Sequence, residues 1–235
     1  MESTTAITIR PLTQADRPAV GRLYARAFSG LMQSMLRRHA GLGAELMTDF
    51  IGPSPNIWVA ELDGTVAGVA WVQDRLLPAP EEQTWKILRR HLPLDAAARA
   101  WVCSKMLHGV SVADDRLYLD SLAVDPDVEG RGVGGALLHH VIHEAERRHK
   151  AVVCLYVLDR DQRPRDMYRR RGFVVLHSEA PRLFKGIVGF GSSDYMELMV
   201  DEARLTDDAE PQTAGGKVGD LFESWLWRRL PPLER

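Results

Sequence analysis

The segment Leu119-Asp-Ser-Leu-Ala-Val-Asp-Pro-Asp-Val-Glu-Gly-Arg-Gly-Val-Gly-Gly-Ala-Leu-Leu138 constrains this chain more than any other. Arg116–Val124 reads as a strand, Asp125–Gly132 as a turn, and about Gly134–His149 as a helix whose apolar stripe is Leu137, Leu138, Val141, Ile142 and Ala145. Four of the six residues 130–135 are glycine. The first N–H groups of a helix have no intrahelical partner, and the aligned peptide dipoles add positive potential there. Glycine lets an anion approach such a main chain closely and permits positive φ. The unit is therefore an anion cradle made of backbone. No Gly-Lys-Ser/Thr follows the glycines. The spacing G-x-G-x-x-G occurs at Gly130, Gly132 and Gly135, and Asp159 ends the next strand. A dinucleotide fold, however, places its first glycine directly after the strand, whereas Asp125–Glu129 intervene here, and the chain beyond Asp159 does not alternate strand and helix as a second half requires.

Around this unit the pattern predicts strands at Thr5–Arg10, Asn56–Leu62 and Thr65–Gln73, the last two joined by the hairpin signal Asp63-Gly64. Helices are expected after Thr13, with Asp16 closing a capping box, at Leu31–His39, and over residues 81–109 with a break at Pro93. Further elements are a strand at Ala151–Leu158, a short helix at Pro164–Arg171, a strand from Gly172-Phe173, and a last strand at Asp194–Val200. Residues 201–220 turn polar and read as a linker, and 221–235 as an amphipathic C-terminal segment, leaving residues 1–200 as one domain. A formal charge of −2 gives no electrostatic footprint for nucleic acid. The sequence contains no run of 18 apolar residues, and its start lacks a basic-then-apolar leader, so neither membrane nor export is expected. The only cysteines, Cys103 and Cys154, cannot build a disulfide framework, and a cytoplasmic setting is the simplest expectation.

The string LAVDPDVEGRGVGGALL resembles the pyrophosphate-binding motif of the GNAT superfamily of acetyl-CoA-dependent N-acetyltransferases, a strand often ending Val-x-Pro followed by Arg/Gln-x-x-Gly-x-Gly/Ala. Gly132 and Gly134 fall on its two small positions, and Met167-Tyr168-Arg-Arg-Arg-Gly172-Phe173 is similar to the later Leu-Tyr-x-x-x-Gly-Phe. The resemblance covers about residues 116–175. It implies an α/β fold with a mixed, mostly antiparallel central sheet, one splayed parallel strand pair, and helices on both faces. It also implies acetyl transfer from acetyl-CoA to a primary amine in a ternary complex. Leu122, Ala123 and Val124 would then meet the pantetheine arm and the acyl carbonyl. Glu129, Gly130, Arg131, Gly132, Val133, Gly134 and Gly135 would hold the pyrophosphate, and Tyr168 would face the departing thiolate. Glu129 departs from the family's Arg or Gln, Asp161 stands where Asn is frequent, and Pro164 replaces a frequent alanine. The acid at 129 keeps open a second reading, a non-catalytic acyl-CoA-binding or regulatory module.

An amine of pKa near 10.4 needs about 4.6 kcal/mol to lose its proton at pH 7, so a proton acceptor is required. Asp120 is the candidate, expected by strand alternation to share a face with Leu122 and Val124. Asp161 and Arg165 are carried as coenzyme contacts, although the arginines between Arg160 and Arg171 interleave with acids as a solvated helix face does. His139, His140 and His143 lie off the apolar stripe and are expected to face outward, with no metal pattern. The acceptor amine is unreadable, and a monomer or homodimer is expected.

Overall fold

The computed structural model describes residues 6–74, 84–107, 112–158, 162–179 and 192–200. The chain divides into two units, Met1–Glu202 and Ala203–Arg235, and every described residue belongs to the first. The expected linker at 201–220, the segment 221–235 and Asp161 lie outside the described residues.

Seven strands form one sheet in the order β1-β2-β3-β4-β5-β7-β6. They are β1 (Ile7–Pro11), β2 (Ile57–Leu62), β3 (Thr65–Gln73), β4 (Arg116–Val124), β5 (Val152–Leu158), β6 (Val174–Glu179) and β7 (Ser193–Met199). All neighbours are antiparallel except β4 and β5. The β2–β3 hairpin turns at Asp63 and Gly64, both with positive φ (52° and 76°), the conformation that a two-residue hairpin loop demands.

Helices cover both faces. On one lie α6 (Val133–Arg147) and α7 (Gln162–Arg170), where Leu137, Leu138 and Val141 of α6 pack with Leu117, Leu119, Val153, Leu155 and Met196 of the sheet. These side chains are buried, and each apolar one adds about 1.5–3 kcal/mol relative to exposure. On the other face lie α1 (Arg17–Ala27), α2 (Ser29–Leu36), α3 (Gly43–Phe50), α4 (Thr84–His91) and α5 (Leu94–Leu107), packed with Ile57, Val59, Val69 and Ala123. Pro93 stands between α4 and α5 as expected. Helix α3 is an addition to the sequence reading. It sits so close to α1 that a Cβ on Gly21 would fall 2.6 Å from the Ala44 carbonyl oxygen.

His140 corrects the expectation of an outward-facing trio. His139 and His143 are exposed, but His140 is half-buried edge-on to Trp58, 5.0 Å between ring centroids. Below it, at the far end of the sheet, the Lys150 ammonium is buried against Asp74 (3.0 Å) and the Asp114 carbonyl (2.9 Å).

Candidate active site

The parallel pair supplies the site's frame. β4 and β5 pair only from Arg116–Val152 to Leu119–Leu155. Beyond that point β4 stays with β3 up to Val124, and β5 stays with β7 up to Leu158, so the two strands part. The Asp125 N–H donates to the Ala67 carbonyl of β3 at 2.8 Å. Peptide groups alternate direction along a strand, so Ala123 also turns to β3 while the N–H and C=O of Leu122 and Val124 turn to the gap. That is the edge an extended ligand chain can pair with.

At the mouth of the gap the chain makes the turn Asp125–Gly132 and enters α6. Gly130 and Gly132 hold φ of 81° and 86°, and Gly132 is the N-cap with no side-chain cap. Among the described residues no carbonyl or side chain accepts from the main-chain N–H of Gly130, Gly132, Val133, Gly134 or Gly135. Five donors on one short turn fit a pyrophosphate by charge and by hydrogen-bonding type. The small residues also let α7 come close, since a Cβ on Gly134 would lie 3.4 Å from Met167 Sδ. The Arg131 guanidinium points away, 3.4 Å from Asp63. A cavity of about 280 Å³ on that side of the turn is lined by Asp63, Asp125, Asp127 and Arg131, and Arg26 ion-pairs with Asp125 and Asp127.

Glu129 is not a solitary carboxylate at the turn, because Arg163 Nη1 reaches its Oε2 at 3.0 Å from the start of α7. Arg165, by contrast, ion-pairs with Asp194 of β7.

Asp120 requires a correction. The β3–β4 register slips between Trp71–Ser121 and Val72–Leu119, which leaves Asp120 as one extra residue on β4. Such a bulge resets alternation. Leu119 and Leu122 consequently pack on the α6 face together, and Asp120 does not share the face of Leu122 and Val124. Its carboxylate accepts from Gln73 Nε2 at 2.8 Å, and its charge is felt by the phenols of Tyr24 and Tyr118. Burial first, and then that charge, push both phenols above their ordinary range. Asp120 therefore belongs to the α1 side of the sheet.

Tyr168 lies on the opposite side. It is buried in the α6 cluster with Leu119, Leu122, Leu155 and Val157, its ring 5.5 Å from that of Phe173. Burial pushes its phenol well above the ordinary value, so it stays protonated across the working range of pH.

Trp71 packs partly buried against the core on the α1–α5 side of the sheet, whereas Trp85 and Trp101 stand more than one-third exposed and edge-on to each other at 6.4 Å. Among the described residues no cluster of His, Cys, Asp and Glu could hold a metal, and no helix is long and apolar enough to cross a membrane.

The model of the acetyltransferase (GNAT) family matches residues 20–173. No curated protein matches in sequence. Among solved structures, an N-acetyltransferase from Staphylococcus aureus superposes with a TM-score of 0.56 at 16% identity, covering 81% of this chain and all of its own. Ard1 from Thermoplasma volcanium gives 0.53 at 16%, covering 84% and 99%. The yncA protein of Salmonella typhimurium, solved with its cofactor acetyl-CoA, gives 0.50 at 21%, covering 89% and 99%. At these identities the likeness is one of fold.

Proposed function

The chain belongs to the acetyltransferase (GNAT) family and is an N-acetyltransferase, and on that premise we propose that it moves an acetyl group from acetyl-CoA directly to a primary amine of a small molecule, peptide or protein. When bound, acetyl-CoA supplies an activated acyl carbon and a thiolate leaving group. The observation that carries the reading is the parting of β4 from β5 with the main chain of Leu122 and Val124 turned into the gap, directly before a glycine turn whose amides lack partners. Leu122 and Val124 hold the extended arm of the ligand, and the Val124 N–H faces the carbonyl oxygen as negative charge builds on it. The N–H groups of residues 130–135 hold the pyrophosphate.

The incoming amine is mostly protonated at neutral pH. Asp120, on the α1 side and oriented by Gln73, accepts its proton directly or through one water. Tyr168, on the α6 side, donates a hydrogen bond to the departing sulfur. A thiol near pKa 8.5 is already more acidic than a phenol near 10, and burial widens that difference, so Tyr168 stabilises the thiolate without surrendering its proton. The module reading rested on Glu129 opposing the coenzyme, and Arg163 answers that charge.

The experiment is coenzyme A release measured against a broad panel of amines, beside acetyl-CoA binding by calorimetry. Saturable binding together with amine-dependent release supports transfer. Binding with no release on any amine, unchanged by Tyr168→Phe, supports the module instead.

A further inference from the structure

The fork between β4 and β5 opens just past the pair Leu119–Leu155. The first residues beyond it are Asp120 on β4 and Tyr156 on β5. Leu155 and Val157 pack in the α6 cluster, so alternation turns Tyr156 to the opposite face, where it packs with Tyr118 and Cys154. Asp120 occupies that same face, and Gln73, which donates to it, is the register partner of Tyr118. The carboxylate and the Tyr156 ring therefore flank the opening of the fork, one from each strand.

From Tyr156 the aromatic surface runs outward across the sheet. Tyr156 is paired with Tyr195 of β7, and Tyr195 with His177 of β6. Ring centroids are 6.5 Å apart for Tyr118 and Tyr156, 5.0 Å for Tyr156 and Tyr195, and 4.9 Å for Tyr195 and His177. Tyr118 is buried, Tyr156 and Tyr195 are partly buried, and His177 is exposed, so the row climbs from the interior beside Asp120 to open surface. With strands spaced about 4.8 Å apart, it extends about 10 Å from Tyr156 to His177. The Tyr195 hydroxyl donates to Glu197 Oε1 at 2.8 Å and accepts from Arg116 Nη1 at 3.1 Å, and Arg116 ion-pairs with Glu197. The charge of Glu197 on this face of β7 is thus answered within the sheet, and what the row offers a ligand is ring surface.

We infer that the acceptor is a primary amine carrying a flat aromatic body, its nitrogen at the fork beside Asp120 and its ring along the row Tyr156, Tyr195 and His177, which sets the specificity. The inference rests on the acetyl-transfer reading above. Aromatic rings favour offset or edge-on contact with other rings beyond the gain from area alone. A second ammonium group would find the Glu197 charge already paired, so a diamine gains less from this row than an aryl amine does.

The test is coenzyme A release at saturating acetyl-CoA with three amines of similar basicity: butylamine, phenylbutylamine and hexamethylenediamine. In the wild-type chain kcat/KM for phenylbutylamine should exceed that for butylamine by about tenfold or more, mostly through KM, because ring contacts are made in the ground state as well as in the transition state. Tyr156→Ala and His177→Ala should each shrink that ratio by about threefold or more, while Tyr156→Phe, which keeps the ring, should hold it within about twofold. Thermal melts control for folding, and the wild-type panel with the exposed His177 variant decides the matter even if Tyr156→Ala does not fold. Equal kcat/KM for the aryl and alkyl amines, a preference for the diamine, or an aryl preference that survives the alanine variants would each overturn the inference and leave acetyl transfer standing. Release on no amine, with acetyl-CoA bound, would bring down the transfer reading itself.

Discussion

Replacing Tyr168 by Phe removes one oxygen and nothing else from a side chain that is 6% exposed. The ring keeps its place against Phe173 and the α6 cluster, so the fold should be nearly unaffected. What goes, on the proposed mechanism, is a donor to the sulfur as it gains charge. A hydrogen bond to a charged partner is worth about 1.5–3 kcal/mol, which corresponds to a fall in kcat of roughly 10- to 150-fold. Acetyl-CoA affinity should change by less than about twofold, because the ground-state thioester sulfur is a poor acceptor. The assay is thiol release at saturating acetyl-CoA with the best amine of the panel, followed from pH 6 to 10. Burial raises the phenol, so Tyr168 should contribute no alkaline limb below pH 10, and the Tyr168→Phe profile should run parallel to the wild type and below it. A fall in kcat of less than about threefold would refute the donor role. So would a wild-type decline below pH 10 that vanishes in Tyr168→Phe, since that would mean the phenol ionises and gives up its proton.

Asp120→Asn keeps the shape of the bulge but removes the proposed proton acceptor, and should lower kcat/KM about 100-fold or more at pH 7, with the defect narrowing toward pH 10 as free amine becomes abundant; a defect that stays constant with pH, measured in the same release assay, would rule out the base role. Gly68→Ala should destabilise the fold by about 1–3 kcal/mol in urea titration, since the added Cβ would lie 2.8 Å from both Leu137 Cδ1 and Val133 Cγ1. Gly135→Ala is the control, because its Cβ would meet the far end of the Arg171 side chain, which can move aside. The burial of His140 lowers its pKa below 6.5, so the unfolded chain takes up a proton first as pH falls. Stability should therefore decline from about pH 6.5 down to the folded-state pKa, and His140→Phe should flatten that decline in urea titrations at pH 7.5 and 5.5; an equal decline in both proteins would remove His140 as its source.

The legible parts of the chain were those whose physics is local. Asp63-Gly64 needs no tertiary partner to turn a hairpin, Pro93 breaks a helix wherever it stands, and the glycine run 130–135 announces a turn that must admit something close. Helix α3 was not legible, because few of its side chains are buried and its place depends on the missing Cβ of Gly21, which matters only once two helices have met. Arg163 and Glu129 are 34 residues apart, and nothing in either neighbourhood marks them as a pair. The bulge did leave a trace. In Arg116-Leu-Tyr-Leu-Asp-Ser-Leu-Ala-Val124 the residues facing α6 are Leu117 and Leu119 before Asp120 but Leu122 and Val124 after it, a step of three inside a period of two. That phase change is the signature of an extra residue, and strict alternation read straight through it.

The bulge also joins the polar residue to the chemistry. The bulge sets Asp120 between Leu119 and Leu122, both facing α6, so its carboxylate stays out of the cluster of Leu137, Leu138 and Leu155, where it would have no partner and would cost several kcal/mol. With the bulge, the carboxylate is received by Gln73 on the α1 side while Tyr168 remains on the α6 side. The acyl carbon held between β4 and β5 would then have a proton acceptor on one side of the sheet and a donor for the leaving sulfur on the other. The amine adds to one face of the planar carbonyl and the thiolate leaves from the tetrahedral intermediate along the C–S bond, so a proton acceptor is needed by the incoming nitrogen and a donor by the sulfur, and a carboxylate and a phenol on different sides of the sheet can meet those two separate needs.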